Sequence, residues 1–458
     1  MKLLRTGGMW LGVSFVFGKG IQLLTQVLMA RLLAPGELGL WAMVLVVHVL
    51  AGLFRDTAIA QVLVQRGLKD RERVDAVYSL GVNVSLLLTL MQAVAGYPLA
   101  QFLGLSQLWP LAAWVGIVHL IGAGAGTHGA VLQRQLRFRE LALCDLASAL
   151  WRTGVSLTAA LLGVGVWAFV LGEWAAALSD ALLKRRFSGY HFHYHLRPDP
   201  SVLKGVQSFI GGLLAVNLAV LVNTSSDNLV IGRLLGPTAL GYYALAYQLA
   251  MVPVIAVSHF NRLHFAVLVQ RDRMAQGAYL AQSLELYALA GAPVFALAWL
   301  TAPWGLPLLL GPTWSQAVPV MQWVLVFAYA RGFMSLLGTA LNALDRPGVN
   351  ALINWVLVPL ALPAYALGAL SGGIVGVAMA AALVMGIGAT GWFWWATCRS
   401  AVWPVGLLSA PVVWPTASAL VSLLVAQYTP VSIQPLVLLG LYLALVMGQK
   451  QPLFAGSK

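Results

Sequence analysis

Lys19, Arg55, Arg152 and Arg331 lie inside long apolar runs of the chain, and Asp56, Asp145, Glu173, Asp227 and Glu285 lie in the same kind of surroundings. A charged side chain at the centre of a bilayer costs roughly 2.5 to 3.5 kcal/mol on insertion scales, so these residues are functional candidates by default. The cations suit an anionic group, because an ammonium or guanidinium offsets the desolvation of a phosphate carried into an apolar interior. The acids suit a proton, sodium or an organic cation. Mutual pairing competes with both uses: Lys19 with Asp56, Arg152 with Glu173, and Arg331 with Glu285 are roughly matched in depth, and the acids outnumber the cations. No catalytic signature is present, since the chain has no Walker sequence, dinucleotide fingerprint or zinc spacing. His191, His193 and His195 alternate with Phe192 and Tyr194, which on an extended segment would put three imidazoles on one face. Histidines mixed with aromatics suit a membrane interface, and no metal site is expected there.

The elements that must position these charges are membrane helices. Of 458 residues, 60% are hydrophobic and 9% charged, with a mean hydropathy of +0.84; soluble domains carry roughly 25% charged residues. Apolar stretches of about 20 residues recur from end to end, each long enough at about 1.5 Å per residue to cross a hydrocarbon core of roughly 30 Å. Lipid leaves no partner for free backbone groups, so such spans are helices, and the alternating pattern of a β-barrel is absent. The net charge of +13 falls in short basic clusters between spans, as orientation signals do, and no nucleic-acid partner is expected. Cys144 and Cys398 lie in or beside apolar spans and indicate no disulfide framework. The apolar run after Lys2 and Arg5 continues to about Leu33, too long for a cleaved signal peptide.

Read between charged or proline-rich breaks, the chain is an all-α polytopic membrane protein of about fourteen helices: two parallel six-helix lobes plus two C-terminal helices. The N-lobe takes residues 1–183, a polar linker 184–205, the C-lobe 206–396, and the last two helices with a cytoplasmic tail 397–458. The two-lobe division rests on a repeat. R-L-L-A-P-G-E-L-G at Arg31 to Gly39 returns as R-L-L-G-P-T-A-L-G at Arg233 to Gly241, each between the first two helices of its lobe. With both termini cytoplasmic, the inner face receives the basic loops, and the outer face only Arg31 and Arg233. Both turns then lie on the outer face, where the cation suits the carbonyl-rich helix end and the proline stops the helix. Counting down from these turns puts Lys19 roughly 18 Å and Arg55 roughly 24 Å deep, in the cytoplasmic half, with Arg152 and Arg331 nearer the midplane. Like-oriented halves about a midplane site are an architecture of alternating access.

Several stretches in this order resemble the polysaccharide transporter, or oligosaccharide flippase, branch of the multidrug/oligosaccharidyl-lipid/polysaccharide exporter superfamily. A-R-L-L-A-P-G-E-L-G-L-W-A from Ala30 looks like the turn after the first helix, and D-N-L-V-I-G-R-L-L-G-P-T-A-L-G-Y-Y-A-L-A from Asp227 like the start of the second half. F-R-D-T-A-I-A-Q-V-L-V-Q from Phe54, L-Q-R-Q-L-R-F-R-E-L from Leu132 and L-L-G-P-T-W-S-Q-A-V-P-V-M-Q from Leu309 are similar to further landmarks. The resemblance covers most of the chain. It implies a non-enzymatic flippase of the bacterial cytoplasmic (inner) membrane, moving undecaprenyl-diphosphate-linked oligosaccharide outward for exopolysaccharide, capsule or O-antigen synthesis. Lys19, Arg55, Arg152 and Arg331 would carry the family's cationic cavity and bind the head group. Asp56, Asp227 and Glu285 are the positions for ion coupling, with the membrane potential, H+ or Na+ as driving force and no cofactor. Partners implied are the lipid-linked oligosaccharide, bacterial membrane lipids, and a polysaccharide polymerase with chain-length or export proteins. Two alternatives stand beside this: a drug or cation antiporter of the related MATE type, and a membrane glycosyltransferase or polymerase. The last wants a sizeable outer loop bearing acids, Arg or His, which the sequence lacks.

Overall fold

Apolar runs that must satisfy their own backbone become helices, and the computed structural model bears this out over residues 2–56, 71–197 and 225–448, the residues it describes. In chain order they are α1 (Lys2–Leu32), α2 (Pro35–Asp56), α3 (Arg71–Leu103), α4 (Leu108–Ile121), α5 (Ala125–Arg134), α6 (Phe138–Leu161), α7 (Trp167–Ser188), α8 (Gly236–Ala250), α9 (Val252–Val269), α10 (Arg273–Leu310), α11 (Val318–Ala343), α12 (Pro347–Ala380), α13 (Ala389–Ala401), α14 (Val405–Gln427) and α15 (Gln434–Gly448). A short helical stretch at 225–234 precedes α8, and a π-helical segment, Ala381–Gly388, joins α12 to α13. Among the described residues there is no strand, and five helical stretches are long and apolar enough to cross a membrane, or six if the bent α4–α5 pair is one span. The protein is a multi-pass membrane protein.

Glycines break helices at two places, one that periodicity alone reads through and one where it expects a break. The single span expected over 109–133 is divided at Gly122–Gly124 into α4 and α5, which meet at 43°. Gly124 has φ +77, and the ring of Tyr78 occupies the place its Cβ would take. The break expected near residue 370 is present inside α12, where Gly373 has φ +59 and Gly372 leaves helical geometry. On either side of it Gly368 and Gly376 approach so closely that a methyl on one would meet the other's carbonyl. α12 is therefore two helical segments meeting at a kink.

The chain divides into two compact units, residues 1–241 and 242–458, with the boundary inside α8. In the first unit α6 packs most extensively on α7, α1 lies along α6, and α3 pairs with α4. Met29, Leu33, Ala159, Ala160 and Ala168 form a buried cluster at the end of the unit that holds the first repeat turn. Trp41 stacks on Phe169 beside it, with ring centroids 4.8 Å apart. In the second unit α10 packs along α14, α11 touches α9 and α10, and α15 closes against α14. Ala292, Ala296, Leu300, Ala419, Ala426, Leu438 and Tyr442 are buried together there.

The two copies of the repeat pack against one another within the first unit. Pro35 opens α2 at its first turn, where a missing N–H costs nothing, and the Ala34 amide before it donates to Glu37 Oε2 at 2.9 Å. A Cβ on Gly39 would strike the carbonyl oxygen of Pro237, and a Cβ on Gly241 that of Pro35. The closing glycine of each copy is thus required by the proline of the other. Arg233 is held over the ring of Phe102, 5.5 Å from its centroid.

Candidate functional site

The first unit holds a half-open cavity of about 560 Å³, and helical spacing explains its lining. On α6, Asp145, Ser148, Ala149 and Arg152 recur at i, i+3, i+4 and i+7; on α7, Glu173, Ala176, Ala177, Asp180 and Lys184 do the same with one further turn. Alanine and serine between the charges keep the two faces slim enough to leave a void. His48 from α2, Gly81 and Ser85 from α3, and the Gly122–Thr127 break complete the wall.

Most of the charge in this cavity is neutralised by pairing. Arg152 Nε and a terminal guanidinium nitrogen reach the two oxygens of Glu173 at 3.0 and 3.1 Å, a bidentate bridge. Lys184 Nζ lies 2.7 Å from Asp180. Asp145 faces the cavity and, among the described residues, has neither a hydrogen bond nor an ion pair. One net negative charge is left on the lining.

The residues singled out from the sequence are dispersed. Lys19, half-buried on α1, donates to Gln22 at 2.9 Å. The side chains of Arg55 and Asp56 lie outside the described residues, so the Lys19–Asp56 pairing lies outside them too. Arg331, half-buried on α11 of the second unit, has no carboxylate partner among the described residues; its guanidinium lies 6.0 Å from the centroid of Phe327. Glu285, on α10, is half-buried and does not pair with it. Asp227 is buried and its Oδ1 accepts from the Asn228 amide at 2.8 Å, among other contacts. Of the three pairings weighed from depth, Arg152 with Glu173 is formed and Arg331 with Glu285 is not.

Two cavity residues, Lys184 and His48, do not stand out when spans are read for isolated charges. Lys184 was assigned to the linker, but α7 continues to Ser188, and its i−4 relation to Asp180 was the available signal. His48 stacks on buried His119 with centroids 4.9 Å apart, and His119 Nε2 meets Gln92 Oε1 at 2.8 Å. The histidine run after α7 is tied to α3. The His193 amide is 3.0 Å from Asp75 Oδ1 and its ring 3.3 Å from Oδ2, the His195 amide donates to Ser79 at 2.9 Å, and Tyr194 OH donates to Asn83 at 2.7 Å. Asp75, Ser79 and Asn83 fall one turn apart on a single face of α3.

A model of the family described as "polysaccharide biosynthesis protein" matches residues 28–319, and the chain belongs to that family. It is the polysaccharide-transporter branch of the exporter superfamily that the sequence motifs resemble. The lipopolysaccharide biosynthesis protein WzxC of Escherichia coli is 22% identical over 83% of this chain and 78% of its own. The succinoglycan biosynthesis transport protein ExoT of Rhizobium meliloti is 24% identical over 82% and 76%. In fold the chain is similar to the lipid II flippase MurJ in an inward closed conformation, with a TM-score of 0.75 at 12% identity over 95% of this chain and 97% of that one. An inward-facing MATE transporter of the same superfamily gives 0.59 at 16% identity over 86% and 98%.

Proposed function

We propose that the protein is a flippase that carries a lipid-diphosphate-linked oligosaccharide, on an undecaprenyl carrier, from the cytoplasmic to the outer leaflet of a bacterial inner membrane for cell-surface polysaccharide assembly. The observation that carries this reading is the family match across 28–319. Relatives named for lipopolysaccharide biosynthesis and succinoglycan transport, and the likeness in fold to a lipid II flippase, support it. The architecture proposed is fourteen helices with both termini cytoplasmic, two six-helix lobes over 1–183 and 206–396, a linker at 184–205, and a terminal pair over 397–458.

Physically, the task is to hide a glycan and a diphosphate from hydrocarbon while the polyprenyl tail stays in lipid. Arg331, which has no carboxylate partner among the described residues, and Lys19 are the proposed head-group contacts, with Arg152 and Arg55 completing the set. Two negative charges moving outward across roughly 150 mV gain about 7 kcal/mol, so no ATPase is required. The potential, H+ or Na+ drives the cycle, with Asp56, Asp227 and Glu285 as coupling positions, and no cofactor takes part. A polymerase and chain-length or export proteins receive the product.

Deletion of the gene should leave the lipid-linked oligosaccharide on the cytoplasmic leaflet, and the Arg152→Gln, Arg331→Gln double variant should reproduce that block at normal protein level. Normal surface polysaccharide in the deletion strain would overturn the reading. The drug antiporter alternative shares the MATE fold and would show instead as proton-coupled efflux of organic cations by the purified protein.

A further inference from the structure

We propose that the open face of α11 is a glycan-binding surface for the transport substrate, with the sugars laid along Ser335, Thr339 and Asn342 and the diphosphate at Arg331. The spacing i, i+4, i+8 and i+11 puts these four side chains on one side of the helix, over roughly 16 Å. From Arg331 to Asn342 they are the half-buried or exposed positions of α11, and every residue between them is buried. What this stretch leaves uncovered is therefore wholly polar. Lipid-facing surface is not built that way: the exposed side chains of α12 and α14 include Leu352, Trp355, Leu360 and Leu420. The α11 face needs water or a polar ligand, because hydrocarbon offers no hydrogen bonds.

The chemistry along this face suits neutral sugars. Beyond Arg331, which has no carboxylate partner among the described residues, α11 carries no charge. Carboxamides and hydroxyls both donate and accept, as sugar hydroxyls do. Neighbouring helices hold the side chains in place: Asn261 Nδ2 of α9 donates to Ser335 Oγ at 2.6 Å, and Asn350 Nδ2 of α12 donates to Asn342 Oδ1 at 3.0 Å. Asn354 Nδ2 in turn donates to Asn350 Oδ1 at 2.9 Å. These contacts leave capacity over. The amide hydrogens of Asn342 and the hydroxyl hydrogen of Ser335 have no acceptor among the described residues. Thr339, which donates to the Ser335 carbonyl at 2.9 Å, keeps its own lone pairs. Helix packing uses part of the hydrogen-bonding capacity of this face, and a sugar ring takes up the remainder. The assignment rests on the flippase reading.

The test measures binding by the purified full-length chain in lipid nanodiscs, with two probes. One is the lipid-linked oligosaccharide extracted from a strain lacking the gene; the other is undecaprenyl diphosphate, which carries no sugar. Wild type should bind the first more tightly. Asn342→Ala and Thr339→Val should each lower that preference by up to about tenfold, the worth of a hydrogen bond or two. Asn342→Gln, which keeps an amide, should hold the preference within about threefold of wild type. Arg331→Gln should weaken both lipids alike. Thr339→Val nearly conserves shape and keeps the test open should Asn342→Ala not fold. An unchanged preference in the folded variants overturns the assignment. So does an equal loss of affinity for both lipids in Asn342→Ala and Thr339→Val, the result of a purely structural role. Wild type that binds both lipids with no preference for the sugar overturns this surface alone, whereas wild type that binds neither overturns the flippase reading and this surface with it.

Discussion

The first unit keeps charge inside itself, whereas the second builds its interior from neutral hydroxyls and rings. Around the first cavity Arg152, Glu173, Asp180 and Lys184 are tied in two bridges with Asp145 left over. In the second unit the Tyr287 hydroxyl donates to the Tyr329 carbonyl at 2.8 Å, and Tyr329 shares a 2.7 Å hydrogen bond with Thr416. Tyr442 reaches the Leu289 carbonyl at 2.8 Å, and Tyr287, Tyr329 and Phe333 pack ring against ring. Two residues along α11 from Tyr329 and from Phe333, and so on the other face of that helix, Arg331 lies 6.0 Å from the centroid of Phe327 and has no carboxylate partner among the described residues. Two arginines that residue counting expects at similar depth therefore differ in chemistry. A guanidinium held bidentately by a carboxylate has its charge neutralised, and one lying on a ring keeps its donors for an incoming anion.

The largest way to disturb the first unit is through the repeat seam. Gly39→Ala and Gly241→Ala each push a methyl onto a backbone carbonyl that cannot rotate away, and should cost about 1 to 3 kcal/mol or more. The measurement is the apparent melting temperature in detergent, with Gly18→Ala, where nothing lies within 4 Å, as the unaffected control. Next comes Glu173→Ala, which leaves Arg152 without its bridge. Because the Arg152 side chain is 46% exposed, water in the cavity screens the loss to about 1 kcal/mol. Arg152→Gln combined with Glu173→Gln should recover part of it in a double-mutant cycle.

For the second unit, Tyr329→Phe removes one hydrogen bond to Thr416 and should cost about 0.5 to 1.5 kcal/mol by thermal unfolding. An equal loss in Thr416→Ala with no further loss in the double variant would sharpen the assignment. The smallest effect expected is the coupling of Arg331 to Glu285. With no contact between them, Arg331→Gln and Glu285→Gln should add to within about 0.3 to 0.5 kcal/mol. A larger coupling would erase the contrast with Arg152 and Glu173. Arg331→Gln should nonetheless reduce transport of a lipid-linked oligosaccharide in reconstituted vesicles, a loss that its modest stability cost does not explain.

How far the sequence carried this depends on the range of the interaction concerned. The helices were legible because their cause is local: an apolar run in lipid must bond its own backbone. The pause at Gly372–Gly373 was legible for the same reason, whereas the bend at Gly122–Gly124 was read through because the flanking residues remain apolar. Its cause, the Tyr78 ring packed against Gly124, comes from another helix. The charged face of α6 could have been read from the spacing of Asp145, Ser148 and Arg152, but its counterpart on α7 was hidden by ending that helix at the first lysine.

By itself the sequence determined that the chain is helical and membrane-embedded, that a turn recurs in it, and which charges are buried in apolar runs. Composition, periodicity and short-range capping suffice for these. Only the tertiary structure decided that Arg152 pairs with Glu173 while Arg331 does not pair with Glu285, and that Asp145 faces a cavity. It alone revealed that Gly39 and Gly241 are glycines because each meets the other turn's carbonyl. The physical reason is that depth along a helix follows from counting residues, while the partner a face meets depends on how helices rotate and pack. Hydrogen bonds and van der Waals contacts act over a few ångströms in space, between residues far apart in the chain.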